Sequence, residues 1–137
     1  SRLAVVASPA YLARAGTPAH PDALADHNCL AFSFRRSLDT WPFLVDGAVS
    51  QRPVRGNFLG NSGEVARRMA LGGAGLARLA RFHVEDDLLA GRLVPVLEAF
   101  SPGDAEDIHA LYAGQERLSR RIRCFVDFLA AHAALRD

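Results

Sequence analysis

An α/β architecture is what the order of apolar patterns along this 137-residue chain predicts. Short apolar runs with strand character alternate with segments of helical period, from Leu3–Ala7 through to Leu118–Leu135. Composition agrees, since 50% hydrophobic and 23% charged residues are ordinary for a globular domain and exclude a disordered chain. A chain of this size buries about two thirds of its surface on folding, enough for one core without staples. Sixteen basic and fifteen acidic side chains leave a net charge of +1, which excludes strong nonspecific attraction to nucleic acid or an anionic membrane. No apolar run approaches the roughly 18 to 20 residues that cross a bilayer, and the first residues lack a signal-peptide layout. A cytoplasmic chain with no membrane partner is therefore expected. Cys29 and Cys124 stand far apart, which points to reduced thiols and not to a disulfide framework or a zinc site.

Each element has a local reason. Arg2–Ala7 reads as a buried strand, and Ser8-Pro9 then starts a helix, with Ser8 as cap and Pro9 in the first turn. Gly16 stops that helix. After a Pro-rich stretch, a short helix is expected around Ala23–Asp26 and a strand over Cys29–Phe34. Trp41–Val45 and Val49–Leu59 read as a hairpin about Asp46-Gly47. Asn61 and Glu64 have the spacing of a capping box ahead of a helix that ends at Gly72-Gly73, with Val65, Ala66, Met69 and Ala70 on one side. Leu76–Ala80 is a strand, Phe82–Leu89 a helix followed by Gly91, and Leu93–Leu97 a strand. Ser101–Asp104 is a turn, Ile108–Ala113 a strand, and Leu118–Leu135 the longest helix.

On that last helix, Leu118, Ile122, Phe125, Val126, Leu129 and Ala133 fall within one arc of about 100°. Arg117, Arg120 and Arg123 lie opposite and read as a solvated face, with Asp127 offsetting Arg123 locally. Phe128 falls outside the arc, beside Cys124 and Arg121. It is either an ordinary exposed aromatic or a contact with something outside this chain.

Signatures of catalysis are missing. Gly72–Gly75 follows a helix and not a strand, so it reads as a helix stop and turn instead of a phosphate loop. The five histidines are scattered, and His27 with Cys29 supplies too few ligands for a metal. Glu85-Asp86-Asp87 reads as a charged outer face of its helix. No nucleophile with a placed base stands out. An enzyme is not expected, and neither is a cofactor. Binding is more plausible. Two helix starts, Ser8-Pro9 and Asn61-Ser62-Gly63, offer free backbone N–H groups suited to an anion or small polar acid, with simple capping as the alternative for each. Gly63 would allow close backbone approach. Arg78 interrupts an otherwise apolar strand, so it either points into a cleft to hold a carboxylate or leaves an edge strand for solvent.

An ordered set of short segments resembles the C-terminal part of a LysR-type transcriptional regulator. The set runs from Leu3–Ser8, Ser8-Pro9-Ala10-Tyr11-Leu12 and Gly16-Thr17-Pro18 with His20–Leu24, through His27–Leu30, Trp41-Pro42-Phe43 with Asp46-Gly47, and Gly60–Glu64. It continues with Gly73–Ala77, Ala90–Leu97 and Leu118–Leu129, covering nearly the whole chain. The family carries Pro in many members where this chain has Ala80.

The resemblance implies a periplasmic-binding-protein-like lobe with a mixed, mostly parallel sheet flanked by helices. Residues 1–113 would form the second α/β lobe of an effector-binding domain, including both crossover strands. Residues 114–137 would supply a helix that packs on a first lobe absent from this chain. A small-molecule effector would sit between lobes, with Ser8, Asn61, Ser62, Gly63 and Arg78 as its contacts here. DNA would be contacted only through an N-terminal domain, also absent. Self-association would use the strand matching Val54–Leu59 and the helix matching Val65–Leu71. An extracytoplasmic solute-binding lobe is the alternative with the same α/β plan.

Overall fold

The computed structural model describes residues 1–32, 40–107, 109, 111 and 119–132. The chain begins with β1 (Leu3–Ala7), whose side chains alternate between two buried layers. Ser8 then caps α1 (Pro9–Ala15), its hydroxyl accepting from the Tyr11 N–H at 3.3 Å. A 3₁₀ turn over Pro21–Asp26 leads to β2 (Cys29–Phe32). β3 (Thr40–Val45) and β4 (Ala48–Pro53) form a separate antiparallel hairpin, turned by Asp46 and Gly47, both at positive φ. Next come β5 (Leu59–Gly60), α2 (Gly63–Leu71), β6 (Leu76–Ala80), α3 (Arg81–Leu89) and β7 (Val94–Val96). A 3₁₀ turn over Glu98–Phe100 precedes α4 (Arg120–His132).

The main sheet has the order β5-β2-β6-β1-β7. β2 is parallel to β5 and β6, whereas β1 is antiparallel to both β6 and β7. Four of the five strands thus run in one direction, and β1 alone is reversed. One core layer joins Val5, Ala7, Tyr11, Leu24, Cys29, Trp41, Phe43 and Leu76 on the hairpin side. The other joins Val6, Leu30, Ala66, Ala70, Leu79, Val84 and Leu93 beneath α2 and α3.

Polar pins fix the sheet. The Tyr11 hydroxyl accepts from the Asn28 N–H at 3.1 Å and bonds His27 Nδ1 at 3.0 Å, which gives His27 a structural partner. Asn28 Nδ2 donates to the Ala74 carbonyl at 2.7 Å. At Gly75 a Cβ would lie 2.2 Å from the Asn28 carbonyl oxygen, so only glycine lets these backbones meet.

Several expectations need correcting. The second hairpin strand ends at Pro53 and does not extend to Leu59, because proline brings no N–H to continue the ladder. Of Val54–Leu59 only Leu59 is in a strand, and that strand pairs with β2 in the main sheet. The capping box is not formed. Ser62, not Asn61, is the N-cap of α2 and makes no side-chain cap bond, while Glu64 turns to Arg67 and Arg68. Asp87 is no outer-face charge. It is only 1% exposed, with Arg67 Nε at 2.5 Å and Arg92 Nε at 2.7 Å, and this pairing straps α2 to α3.

Of the strand expected at 108–113, only His109 and Leu111 are described, and neither is in a strand. Ser33 and Phe34, expected in β2, lie outside the described residues, as do Leu118 and residues 133–135 of the last helix. α4 buries none of its side chains. Phe125 is 61% exposed, and Phe128, 54% exposed, stacks on His132 with ring centroids 4.2 Å apart.

Candidate functional site

Parallel strands bring their carboxyl ends to one edge of the sheet, where the following helices begin and ligands tend to sit. Here β2 ends at Phe32 and β6 at Ala80, and α3 starts at once with Arg81. β1 is reversed, so its first residue, Leu3, faces Ala80 in register at that same edge. A cavity of about 580 Å³ opens there. Leu3, Phe32, Trp41, Pro42, Leu79, Ala80 and Phe82 give it mainly apolar walls, and Thr40, Gln51, Arg78, His83 and Glu106 supply the polar groups.

Gly63, the first residue of α2, forms part of the lining. A Cβ there would lie 3.0 Å from His83 Cε1, so glycine lets the helix start approach the ring. His83 stacks on Phe82 with an interplanar angle of 16°, and its Nε2 faces Glu64 Oε2 at 3.4 Å. Hydrogen bonds from Arg68 and Arg67 hold the Glu64 carboxyl below its ordinary value.

Arg78 comes from the middle strand of the sheet, which overturns the edge-strand reading. Its side chain is 15% exposed and pairs with the Asp104 carboxylate. The other Asp104 oxygen, Oδ1, is buried and meets no donor among the described residues. Arg78 also lines a second cavity of about 160 Å³, together with Arg2, Arg81, Glu98 and Ser101.

The residues singled out in the sequence separate. Gly63 and Arg78 line one cavity. Asn61 and Ser62 adjoin Gly63 at the same helix start without lining it. Ser8 is 3% exposed and sits at the opposite edge of the sheet, because the reversed β1 delivers its carboxyl end there. Sequence reasoning missed Trp41, Phe82, His83, Asp104 and Glu106. The strand-to-helix junction at Ala80-Arg81 was the available signal for Phe82 and His83. Nothing local marked Asp104.

Among the described residues no group of three His, Cys, Asp or Glu side chains could hold a metal, and no helix is long and apolar enough to cross a membrane. Cys29 is buried, which pushes its thiol up to about 11 and leaves it inert at neutral pH. Cys124 is exposed.

A family model described as the LysR substrate binding domain matches residues 1–134. The HTH-type transcriptional regulator CrgA of Neisseria meningitidis serogroup C (strain 8013) is 38% identical over 129 residues, covering 94% of this chain and 43% of that protein. An HTH-type transcriptional regulator of Xanthomonas campestris pv. campestris (strain 8004) is 33% identical, over 93% of this chain and 38% of that one. The chain thus spans less than half the length of these relatives. Among solved structures, the CrgA regulatory domain from Neisseria meningitidis matches with a TM-score of 0.88 at 36% identity, over 96% of this chain and 65% of that one. The full-length Vibrio cholerae virulence activator AphB matches with a TM-score of 0.78 at 26% identity, over 96% and 44%. By sequence and by fold, the chain belongs to the LysR substrate binding domain family, with the periplasmic-binding-protein-like architecture of LysR regulatory domains.

Proposed function

We propose that this chain is the effector-sensing part of a LysR-type transcription regulator, acting in the cytoplasm and performing no chemistry. The observation that carries the reading is the cavity at the carboxyl edge of β2 and β6, in a chain of this family, with a guanidinium and a helix start in its lining. A small polar or anionic effector binds there. Arg78 supplies charge, and Gly63 supplies backbone at the positive end of α2, with Asn61 and Ser62 at its margin. Ser8 stays outside this site and serves α1.

Residues 1–113 act as the second lobe, and α4 packs on a first lobe supplied by the longer protein. The exposed Phe125 and Phe128 support that placement. Exposed Leu59 and Val65 support self-association through the segments 54–59 and 65–71. DNA is bound through an N-terminal domain, and effector binding shifts the population of lobe and dimer geometries that position it.

The test uses the full-length regulator. Footprinting of its operator is repeated across a panel of small carboxylic acids and polar metabolites. One compound should alter the footprint, and Arg78→Ala or Asn61→Ala should blunt that response while leaving the compound-free footprint intact. A response that both variants retain overturns the site assignment. A protein whose footprint no compound alters overturns the sensing role.

A further inference from the structure

The large cavity holds an unusual electrostatic arrangement. Among the described residues the guanidinium in its lining is that of Arg78, which is 15% exposed and already carries an intrachain carboxylate from Asp104. Asp104 follows the irregular stretch Ser101–Gly103, and its segment lies against the start of β1. Leu3 N donates to the Asp104 carbonyl at 3.3 Å, Arg2 and Ala105 form an isolated bridge, and Glu106 N donates to the Ser1 carbonyl at 2.8 Å. The pair is incomplete. Asp104 Oδ1 is buried with no donor among the described residues, which costs free energy that a fully matched pair would not. The Asp104 side chain as a whole is 37% exposed, which places it at the cavity rim and not in the core.

We propose that Asp104 is a built-in competitor for Arg78, and that the cavity takes a monocarboxylate with an apolar body whose carboxylate exchanges with that of Asp104. This rests on the sensing role proposed above. The class follows from the lining. Trp41, Phe82, Phe32 and Leu79 supply apolar surface for a ring or short alkyl body. Arg78 binds one carboxylate in forked geometry. Glu106 also lines the cavity, so a second negative charge on the ligand would meet a carboxylate. Exchange releases Asp104 and its poorly matched oxygen toward solvent and frees the strap between β6 and the 104–106 segment. Ligand occupancy is thereby read out as a change in that segment.

The test is calorimetry on the full-length protein with benzoate, its neutral counterpart benzyl alcohol, and the dianion phthalate. Benzoate should bind more tightly than either. Asp104→Asn should tighten benzoate about tenfold, the effect of removing one charge-assisted competitor, and leave benzyl alcohol unchanged. Arg78→Gln should abolish the preference for benzoate, and Arg78→Lys should retain part of it. If Arg78→Gln does not fold, the Asp104→Asn arm decides the matter alone. Weaker benzoate binding in Asp104→Asn would mean that Asp104 positions Arg78 instead of competing for it, and would overturn the inference. Equal binding of benzoate and benzyl alcohol, unmoved by Asp104→Asn, would also overturn it while the cavity remains a ligand site. Binding of none of the three would overturn both.

Discussion

α2 and α4 are built on the same plan, an apolar stripe facing a charged side, yet they end in different environments. α2 buries Ala66 and Ala70 against the sheet, and its Arg67 reaches across to Asp87 of α3. α4 fully buries none of its side chains, with Ile122, Val126 and Leu129 half-buried and its two phenylalanines more than half exposed. Helical period declares that a face needs cover, and it leaves open what supplies that cover. In α2 the cover is the sheet of this chain. In α4 nothing among the described residues takes that part.

Substitutions can break or sharpen this contrast, and urea denaturation of the purified chain measures each. Leu76→Ala, at a fully buried position of β6, should cost about 2–5 kcal/mol through lost contacts and a cavity. Asp87→Asn should cost about 1.5–3 kcal/mol, because it removes the charged partner of Arg67 and Arg92 inside the structure. Ser8→Ala should cost about 1 kcal/mol through loss of the α1 cap. Phe128→Ser on α4 should stay within about 0.5 kcal/mol, the range of surface changes. A cost above that for Phe128→Ser would mean that α4 finds a partner within this chain, and the contrast with α2 would fall.

Acid provides a further probe of the α2 side. Burial pushes the Asp87 carboxyl up, but hydrogen bonds and charge from Arg67 and Arg92 outweigh it and hold the group below its ordinary value. A carboxylate held low adds stability above the unfolded value, near pH 4, and loses that contribution as pH falls through the lowered one. Wild type should therefore lose stability more steeply than Asp87→Asn between about pH 5 and pH 2. Parallel acid curves would remove Asp87 as a source of that sensitivity.

Elements bounded by local signals were legible. β1, α1 with its Ser8 cap and Gly16 stop, and β6 over Leu76–Ala80 all end where short-range chemistry ends them. What depends on partners distant in sequence was not. Asn61 and Glu64 have capping-box spacing, but Arg67 and Arg68 capture the carboxylate first. Asp87 reads as surface charge until arginines from α2 and the following turn close over it. Ser8 and Gly63 look equivalent as helix starts, and only the reversed direction of β1 sends them to opposite edges. Of the thirteen residues lining the candidate site, Gly63 and Arg78 stood out from residue type. The aromatic side did not, because Trp41, Phe82 and His83 come to one cavity only once the hairpin and α3 lie beside the same strand ends.

That single inverted strand also sets where the polypeptide passes the cavity. Ser1–Leu3 and Asp104–Glu106 run alongside one another at the rim, stitched by backbone bonds. Two passages tied in this way move together, since a shift of either one strains the bonds it shares with the other. A displacement of the cavity rim is therefore shared by residues 105 positions apart in the sequence.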